Sequence, residues 1–230
     1  MEIHRAVGNR RREGIALGNL GRIYYDQGRL EKARAHCEAA LEIDRGVGDR
    51  RREGIILGSL GLIDATQGRM EEARAHYEAA LVIHRSVGNR SSEGLVLGNL
   101  GVLHFRQGRM EEARAHYESA LAIHREIGDW RGQGIAFTKL GDLHLVQGHL
   151  DEAREILMRG EMLFREVDER LELVKLLCTR AELEHRTGDG AAASTMLQEA
   201  EALAAHIGAA DDSELRQKLG ALRQLLKPSP

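Results

Sequence analysis

The chain has 230 residues, a formal charge of −3, 42% hydrophobic and 3% aromatic residues, and two prolines in its last three positions. This apolar fraction excludes a disordered chain, and no run approaches the roughly 18 apolar residues of a membrane-spanning helix. The weak negative charge gives no electrostatic reason to expect nucleic acid as a ligand, and two cysteines, too few for a disulfide framework, favour a cytoplasmic location.

The first thirteen residues look like the end of a helix that the rest of the chain repeats. Residues 1–5 align with 41–45, so we expect 1–13 to be the remnant of a preceding repeat helix. That helix is predicted to end at Gly8, with Asn9 as the N-cap of the next helix. The next helix would then lack the usual neighbour for Ile15, Leu17, Leu20 and Ile23. Two hypotheses follow: the chain is part of a longer repeat protein, or another molecule covers this open end, such as a second copy of the chain.

From residue 14 onward the sequence repeats every 40 residues. Residues 68–78 recur unchanged at 108–118, and residues 28–38 differ from them at three positions. Such self-similarity is typical of helical-repeat proteins. We predict five units without insertions, at 14–53, 54–93, 94–133, 134–173 and 174–213.

Each unit is predicted to contain two helices. In the second unit the first apolar stripe consists of Ile55, Leu57, Leu60 and Ile63, and Gly68 interrupts it. A second stripe then runs from Met70 through Ala73, Tyr77, Ala80, Leu81 and Ile83. Gly48, Gly88 and Gly128 are placed to end the second helices in a left-handed conformation, and the Asp or Asn after each is a good N-cap. Because neither helix can bury its apolar face alone, neighbouring pairs must stack into an all-α solenoid.

The C-terminal end departs from the repeat. Arg180 and Ala181 stand where the earlier units have Leu and Gly. Asp211, Asp212 and Ser213 are predicted to cap a last amphipathic helix at 214–226. That helix would cover the final repeat through its leucines, and 227–230 would be a frayed tail.

The repeated residues resemble the tetratricopeptide repeat family. The family pattern is a Leu-Gly pair followed at fixed separations by Ala, an aromatic residue and Ala. It is present as Leu100, Gly101, Ala113, Tyr117 and Ala120, and as Leu20, Gly21, Tyr24, Ala33, Cys37 and Ala40 in the first unit. The resemblance implies a right-handed alpha-alpha superhelix of five helix-turn-helix repeats with a C-terminal capping helix. Two features depart from the family pattern: the period is 40 rather than 34, and the closing proline is absent. Repeats of this longer period look like those of kinesin light chains, to which residues 99–103 and 107–113 are similar, and of Pins-type adaptors, which residues 47–50 resemble.

In this family the first helices line a concave groove that binds partners. Carrying the groove positions onto this chain gives Asn19, Arg22, Tyr25 and Asp26, then Ser59, Leu62, Ala65 and Thr66, then Asn99, Val102, Phe105 and Arg106, and finally Lys139, Asp142, Leu145 and Val146. Exposed apolar groups beside single charges and amides suit a peptide ligand. The alternative is that the apolar members pack within the superhelix.

Two further sets of residues recur with the repeat and have competing interpretations. Gly18, Gly58 and Gly98 recur in mid-helix, where glycine costs about 1 kcal/mol relative to alanine. Each leaves space either for a neighbouring helix or for the backbone of a ligand.

The recurring histidines, which include His36, His76 and His116, are too far apart to share one metal ion. Glu72–His76 and Glu112–His116 are expected to be i, i+4 pairs on an exposed face, and His104 and His144 to be packed in aromatic positions.

The sequence contains no phosphate loop, nucleophile elbow or zinc-helix motif. We therefore predict no catalytic residues, no metal and no cofactor, and interpret the chain as a non-catalytic scaffold for a protein or peptide partner. The resemblance to kinesin light chains extends to small bacterial proteins that are associated with tubulin-like filaments, and so implies such a filament as the partner. The alternative is a regulatory or sensor segment of a larger bacterial signalling or transcription-regulating protein.

Overall fold

The computed structural model describes residues 2–208 and 214–226, and these residues form helices joined by short turns without any strand. The helices are α1 (Glu2–Asp26), α2 (Leu30–Gly46), α3 (Arg50–Thr66), α4 (Met70–Ser86), α5 (Arg90–Arg106), α6 (Met110–Glu126), α7 (Trp130–Gln147), α8 (Leu150–Glu166), α9 (Arg170–Arg186), α10 (Gly190–His206) and α11 (Glu214–Leu225). The predicted all-α class and the consecutive helical hairpins are confirmed.

The chain divides into two compact units, residues 1–119 and 120–230. Unit 1 contains α1 to α5 and the first part of α6, whereas unit 2 contains the rest of α6 and α7 to α11. Within each unit consecutive helices pack together, as α1 to α5 and α7 to α11 do, and the first helices of consecutive hairpins also touch, as α3 does with α5 and α7 with α9. Each unit is therefore held together by contacts between neighbouring repeats, as in other helical-repeat proteins.

The Leu-Gly pair of each repeat lets the two helices of a hairpin approach closely. Leu60 is buried in the core of unit 1, and a Cβ atom on Gly61 would lie 2.7 Å from ring carbons of Tyr77 in α4. In unit 2, Gly141 meets Leu157 of α8 in the same way. Glycine is thus required at this position because the partner side chain occupies the space of a Cβ atom.

Left-handed residues end the helices at the predicted positions other than Gly8. Gly68 has φ of +78°, and the N–H of the following Arg69 donates to the carbonyl of Asp64 at 2.9 Å, which closes the end of α3. Gly48, Gly88 and Gly128 are also left-handed, which confirms the predicted stops. Asp168 occupies the same place in the next repeat and is itself left-handed, with φ of +51°.

The predicted stop at Gly8 is wrong, because α1 runs without interruption from Glu2 to Asp26. Asn9 therefore lies inside the helix and is not an N-cap. A helix end leaves four carbonyls without helical partners, and after α2 that loss is offset by packing of α2 against α1 and α3. Residues 2–26 contain no proline, so nothing in the backbone forces the helix to stop, and continuing it through Gly8 keeps those carbonyls paired.

Helix α11 packs against α9 and α10, which confirms the predicted capping helix. Leu215, Leu219 and Leu222 are buried in the core of unit 2, whereas Leu225 is 48% exposed. The proposed cap at 211–213 and the tail at 227–230 lie outside the described residues.

Candidate functional site

The first helices of unit 1 present an apolar pocket to solvent. Ile55 and Leu62 of α3 and Leu95 of α5 are 42%, 38% and 62% exposed, and they surround a cavity of about 140 Å³. We call this cavity the α3–α5 pocket; its lining residues are Ile55, Gly58, Ser59, Leu62, His84, Ser92, Leu95, Val96 and Asn99. Three large aliphatic side chains are exposed around one cavity. Covering them with a partner would be favourable, because it removes apolar surface from water.

The pocket exists because α3 and α5 carry more apolar residues than the core needs. In α3 the side chains turned to the core are those of Ile56, Leu57, Leu60 and Ile63, which are all nearly inaccessible. The sequence prediction placed Ile55 in that stripe, and this is wrong. Ile55 is one residue out of register with the core, since successive residues of a helix differ by about 100° in direction, and it faces the α3–α5 pocket instead.

The packing interpretation of the mid-helix glycines holds at one of the three positions. A Cβ atom on Gly18 would lie 2.8 Å from Cδ1 of Ile56, so a neighbouring helix occupies that space. On Gly58 the nearest atom would be Cγ2 of Val96 at 3.7 Å, an ordinary contact, and on Gly98 nothing within its unit would lie within 4 Å. Internal packing therefore explains Gly18 but not Gly58, which lines the α3–α5 pocket.

The structure brings several of the predicted groove residues of unit 1 together. Ser59, Leu62 and Asn99 line the same pocket, and Tyr25 Oη and Thr66 Oγ1 are hydrogen-bonded at 3.0 Å between α1 and α3. The other predicted residues take no part in the pocket: Asn19, Arg22, Asp26 and Arg106 are exposed, while Ala65, Val102 and Phe105 are half-buried. Ile55, Leu95 and Val96 were missed, although the recurrence of an apolar residue at 15, 55, 95 and 135 was a usable signal.

In unit 2 two predicted residues line a second, polar cavity. Lys139 and Asp142 of α7 border a cavity of about 260 Å³ that we call the α7–α9–α11 pocket. Its remaining lining residues are Thr138, Lys175, Thr179, Leu215 and Lys218. The prediction for Leu145 needs correction, because its side chain is buried in the core of unit 2 and cannot reach a partner. Its neighbour Val146 is exposed.

A buried carboxylate organises the polar contacts behind the α3 face. Asp64 accepts hydrogen bonds from Arg69 Nε at 2.8 Å and from Arg34, and its Oδ2 lies 2.8 Å from His76 Nδ1. Burial by itself would raise the pKa of Asp64, but these three hydrogen bonds together outweigh it and hold the pKa below its usual value. The expected pairing of His76 with Glu72 is wrong, since His76 turns to Asp64 instead.

The remaining histidines are packed rather than arranged as ligands. His104 is buried, as predicted, and stacks on His116 with ring centroids 5.0 Å apart. Burial lowers the pKa of both rings, and nearby positive charges lower it further. His144 is buried too. Within residues 2–208 and 214–226 no group of three His, Cys, Asp or Glu side chains could hold a metal ion.

Both cysteines are buried packing residues. Cys37 fills the place that Tyr77 and Tyr117 occupy in the following repeats, and Cys178 lies in the core of unit 2. Burial raises the pKa of each thiol to about 11, so neither is a thiolate near neutral pH and neither has the reactivity of a catalytic cysteine.

Comparison with known families identifies the class of fold. A tetratricopeptide repeat model matches residues 12–89 and 92–166, and the chain therefore belongs to the tetratricopeptide repeat family. This fold suggests a scaffold for protein–protein interaction, and no enzyme family is indicated. No curated protein matches the chain in sequence. Among the helices of the described segments, none combines the length and hydrophobicity needed to cross a bilayer.

Several solved structures share the fold at low sequence identity. One is BtubC (BKLC) from P. vanneervenii, with 17% identity, a TM-score of 0.62, and coverage of 93% of this chain and 95% of that chain. Another is the apo form of RapI, with 16% identity, a TM-score of 0.78, and coverage of 94% and 78%. A third is a STAND protein with a tetratricopeptide repeat sensor from Pyrococcus horikoshii, with 18% identity and a TM-score of 0.70. The match covers 96% of this chain but only 34% of that larger one.

Proposed function

We propose that this protein is a non-catalytic scaffold that binds a peptide or protein segment on its first-helix face. The observation that carries the proposal is the α3–α5 pocket, in which exposed Ile55, Leu62 and Leu95 surround a glycine that internal packing does not require. A partner's apolar side chain would fill the cavity, and Gly58 would let its backbone approach α3. Buried thiols without disulfide bonds favour a reducing cytoplasm as the place of action.

The specific partner that we propose is a tubulin-like filament. The support is the fold shared with BtubC (BKLC) along nearly the full length of both chains, together with the kinesin-light-chain-like period of 40 residues. The probe is a co-pelleting assay with assembled bacterial tubulin filaments. The wild-type protein is expected to be enriched in the pellet relative to a charge-matched helical-repeat protein, and equal pelleting of the two would contradict the proposal.

Variants of the pocket locate the contact. Leu62→Glu and Leu95→Glu each place a charge where an apolar partner group would lie, so the enriched fraction is expected to fall about tenfold or more. The matched control is Val82→Glu in α4, because Val82 is an exposed aliphatic residue that does not line the pocket. Equal loss in all three variants would show that the contact is not made by the pocket.

A second candidate function is a regulatory or sensor segment of a larger bacterial signalling protein. The observation that favours it is the shared fold with RapI and with the sensor repeats of the STAND protein. Genomic context separates the candidates: fusion of this sequence to a kinase or DNA-binding domain supports the sensor, whereas an isolated gene beside tubulin-like genes supports the filament partner.

The proposal includes self-association through the face of α1. Leu20 and Ile23 are 40% and 44% exposed there, whereas the corresponding Leu60 and Ile63 of α3 are almost fully buried. Two such faces in contact would cover apolar surface that each copy leaves in water. Sedimentation velocity is expected to show concentration-dependent association that Leu20→Asp abolishes. A strict monomer over a wide concentration range would contradict it.

A further inference from the structure

The α7–α9–α11 pocket gathers an unusual share of the chain's lysines. The sequence contains five lysines against 28 arginines, and three of the five, Lys139, Lys175 and Lys218, line this one cavity of about 260 Å³. They come from three different helices, so no single amphipathic pattern accounts for their convergence. Two threonines, Thr138 and Thr179, add hydroxyl groups to the same lining.

The positive charge of the pocket exceeds what its own carboxylate neutralises. Asp142 is the one acidic residue of the described lining, and it already accepts a hydrogen bond from Thr179 Oγ1 at 2.9 Å and lies 3.6 Å from Lys139 Nζ. With Glu172, whose Oε1 lies 3.0 Å from Lys175 Nζ, the three ammonium groups and two carboxylates leave a net charge of +1. A chain with an overall charge of −3 therefore holds a local positive site on its first-helix face.

The other two ammonium groups are only partly paired. Lys175 Nζ lies 3.0 Å from Glu172 Oε1, but Arg131 also lies 3.5 Å from that oxygen. Lys218 Nζ donates to Thr179 Oγ1 at 3.4 Å, and among the described side chains no carboxylate lies within 4.0 Å of it. Lys218 can therefore turn toward an incoming anion without leaving a carboxylate. Arg131 remains beside Glu172 when Lys175 does the same.

The lysines of the pocket differ from the arginines with which the chain pairs most of its own carboxylates. Elsewhere in unit 2 the chain neutralises its own planar carboxylates with arginine, as Arg154 does for Glu184, whose Oε2 lies 2.8 Å from the guanidinium. Guanidinium groups bind carboxylates and phosphates as planar forks, whereas an ammonium group is a compact charge with three donors and no preferred plane. Three ammonium groups and a hydroxyl around one cavity suit an oxyanion of high charge, and a phosphate dianion carries twice the charge of a carboxylate.

We infer that the α7–α9–α11 pocket binds a phosphate monoester carried by the protein partner. The inference rests on the proposed function, because the pocket includes Lys139 and Asp142 of the predicted groove. It adds a requirement that the partner segment be phosphorylated. A phosphate dianion would be attracted to the net positive charge of the pocket, with Lys175 and Lys218 as its principal donors.

Titration of the purified chain with inorganic phosphate at pH 7.5 and constant ionic strength tests the pocket without any partner. Calorimetry is expected to show saturable binding to one site, with acetate at least tenfold weaker. Lys175→Gln and Lys218→Gln are each expected to weaken phosphate binding about tenfold. The matched control is Lys32→Gln, since Lys32 lies over the ring of Tyr24 in unit 1. Absence of saturable binding, equal binding of acetate, or equal loss in Lys32→Gln would overturn the inference.

A second arm separates a phosphorylated partner from free phosphate. The probes are the pentapeptide Gly-Gly-phosphoserine-Gly-Gly and its unphosphorylated form. The phosphopeptide is expected to bind at least as tightly as inorganic phosphate and the unphosphorylated peptide not at all. A pocket that takes phosphate but refuses the phosphopeptide would overturn the partner-borne source.

Circular dichroism of each variant shows whether the fold is kept. A further variant, Thr179→Val, leaves all three lysines in place. It removes the hydroxyl between Asp142 and Lys218, and phosphate binding is expected to weaken severalfold; unchanged binding in a folded Thr179→Val variant would count against the assigned geometry. Failure of the phosphate titration leaves the filament assay unaffected, and failure of the filament assay leaves the titration unaffected, so the two proposals fail separately.

Discussion

Asp44 and Asp64 are both fully buried in unit 1, yet the protein solvates their carboxylates in different ways. Asp64 has hydrogen-bonding contacts with Arg34, Arg69 and His76. Asp44 has Arg52 Nε at 3.2 Å from Oδ1, while its buried Oδ2 has no hydrogen-bond partner among the described residues. Burial raises the pKa of Asp44 because Arg52 offsets the loss of water only in part, whereas the pKa of Asp64 is lowered.

Replacing Asp64 by asparagine is expected to destabilise the fold by about 2 kcal/mol at pH 7, because two guanidinium groups lose their buried counter-charge. The folded-state pKa of Asp64 lies below the unfolded value of about 3.9. The Asp64 carboxylate therefore stabilises the fold above the unfolded pKa, and this stabilisation is lost as the pH falls through the folded-state pKa. Urea unfolding of both proteins at pH 7 and pH 3 measures this, and a difference that does not shrink at pH 3 would contradict the assignment.

Replacing Asp44 by asparagine is expected to change the free energy of unfolding in the opposite direction. A raised folded-state pKa means that the stabilising contribution exists below the unfolded value of about 3.9 and is lost as the pH rises through the folded-state pKa. At pH 7 the wild-type chain therefore holds a poorly solvated charge. Asp44→Asn is expected to be between unchanged and about 1 kcal/mol more stable. Urea unfolding at pH 7 checks the sign, and a loss as large as that of Asp64→Asn would show that Arg52 solvates Asp44 fully.

At the scale of single helices, two glycines in α3 are expected to respond oppositely to alanine. Gly58→Ala places a Cβ atom in ordinary contact with Val96, and it removes the entropic cost of a mid-helix glycine. The free energy of unfolding is therefore expected to rise by about 0.5–1 kcal/mol. Gly61→Ala drives a Cβ atom into the ring of Tyr77 and is expected to cost about 1–3 kcal/mol. Denaturant unfolding of the pair decides the matter; destabilisation by Gly58→Ala would reveal a packing role that the distances do not show.

The capping helix provides a second comparison between matched residues. Leu222 is 5% exposed in the core of unit 2, whereas Leu225 on the same helix is 48% exposed. Leu222→Ala is expected to cost about 2–3 kcal/mol, and Leu225→Ala less than about 1 kcal/mol. Thermal and urea unfolding measure both changes. Equal small effects would mean that α11 separates from unit 2 before the main transition.

The sequence alone predicted the helical hairpins because its signals repeat at several levels: the Leu60–Gly61 pair, Tyr77 and the left-handed Gly68 each have a local physical reason that recurs every 40 residues. It predicted the site less well. Ile55 and Ile56 are adjacent and chemically identical, so only the packing angle of α3 decides which one faces the core. The contribution of Lys218 to a cavity with Lys175 depends on where α11 docks, and no repeat period fixes that placement.

At the scale of the whole chain, the described contacts are local in sequence. Within each unit a helix touches its successor or the first helix of the next hairpin, as α1 does with α3 and α9 with α11. In such a fold stability is approximately a sum of repeat and interface contributions. A defect in one repeat is therefore expected to weaken its neighbours more than distant repeats.

Leu60→Ala tests this expectation, because Leu60 is 1% exposed in unit 1 and its truncation is expected to cost about 2–4 kcal/mol. Native-state hydrogen exchange is expected to show the largest loss of protection in α2 to α5, and progressively smaller loss toward α9 and α10. The reciprocal variant, Leu222→Ala, is expected to reverse the gradient, with α9 to α11 most affected. A uniform loss of protection along the chain in both variants would mean that all repeats unfold as one cooperative body, and the nearest-neighbour account of stability would then be wrong.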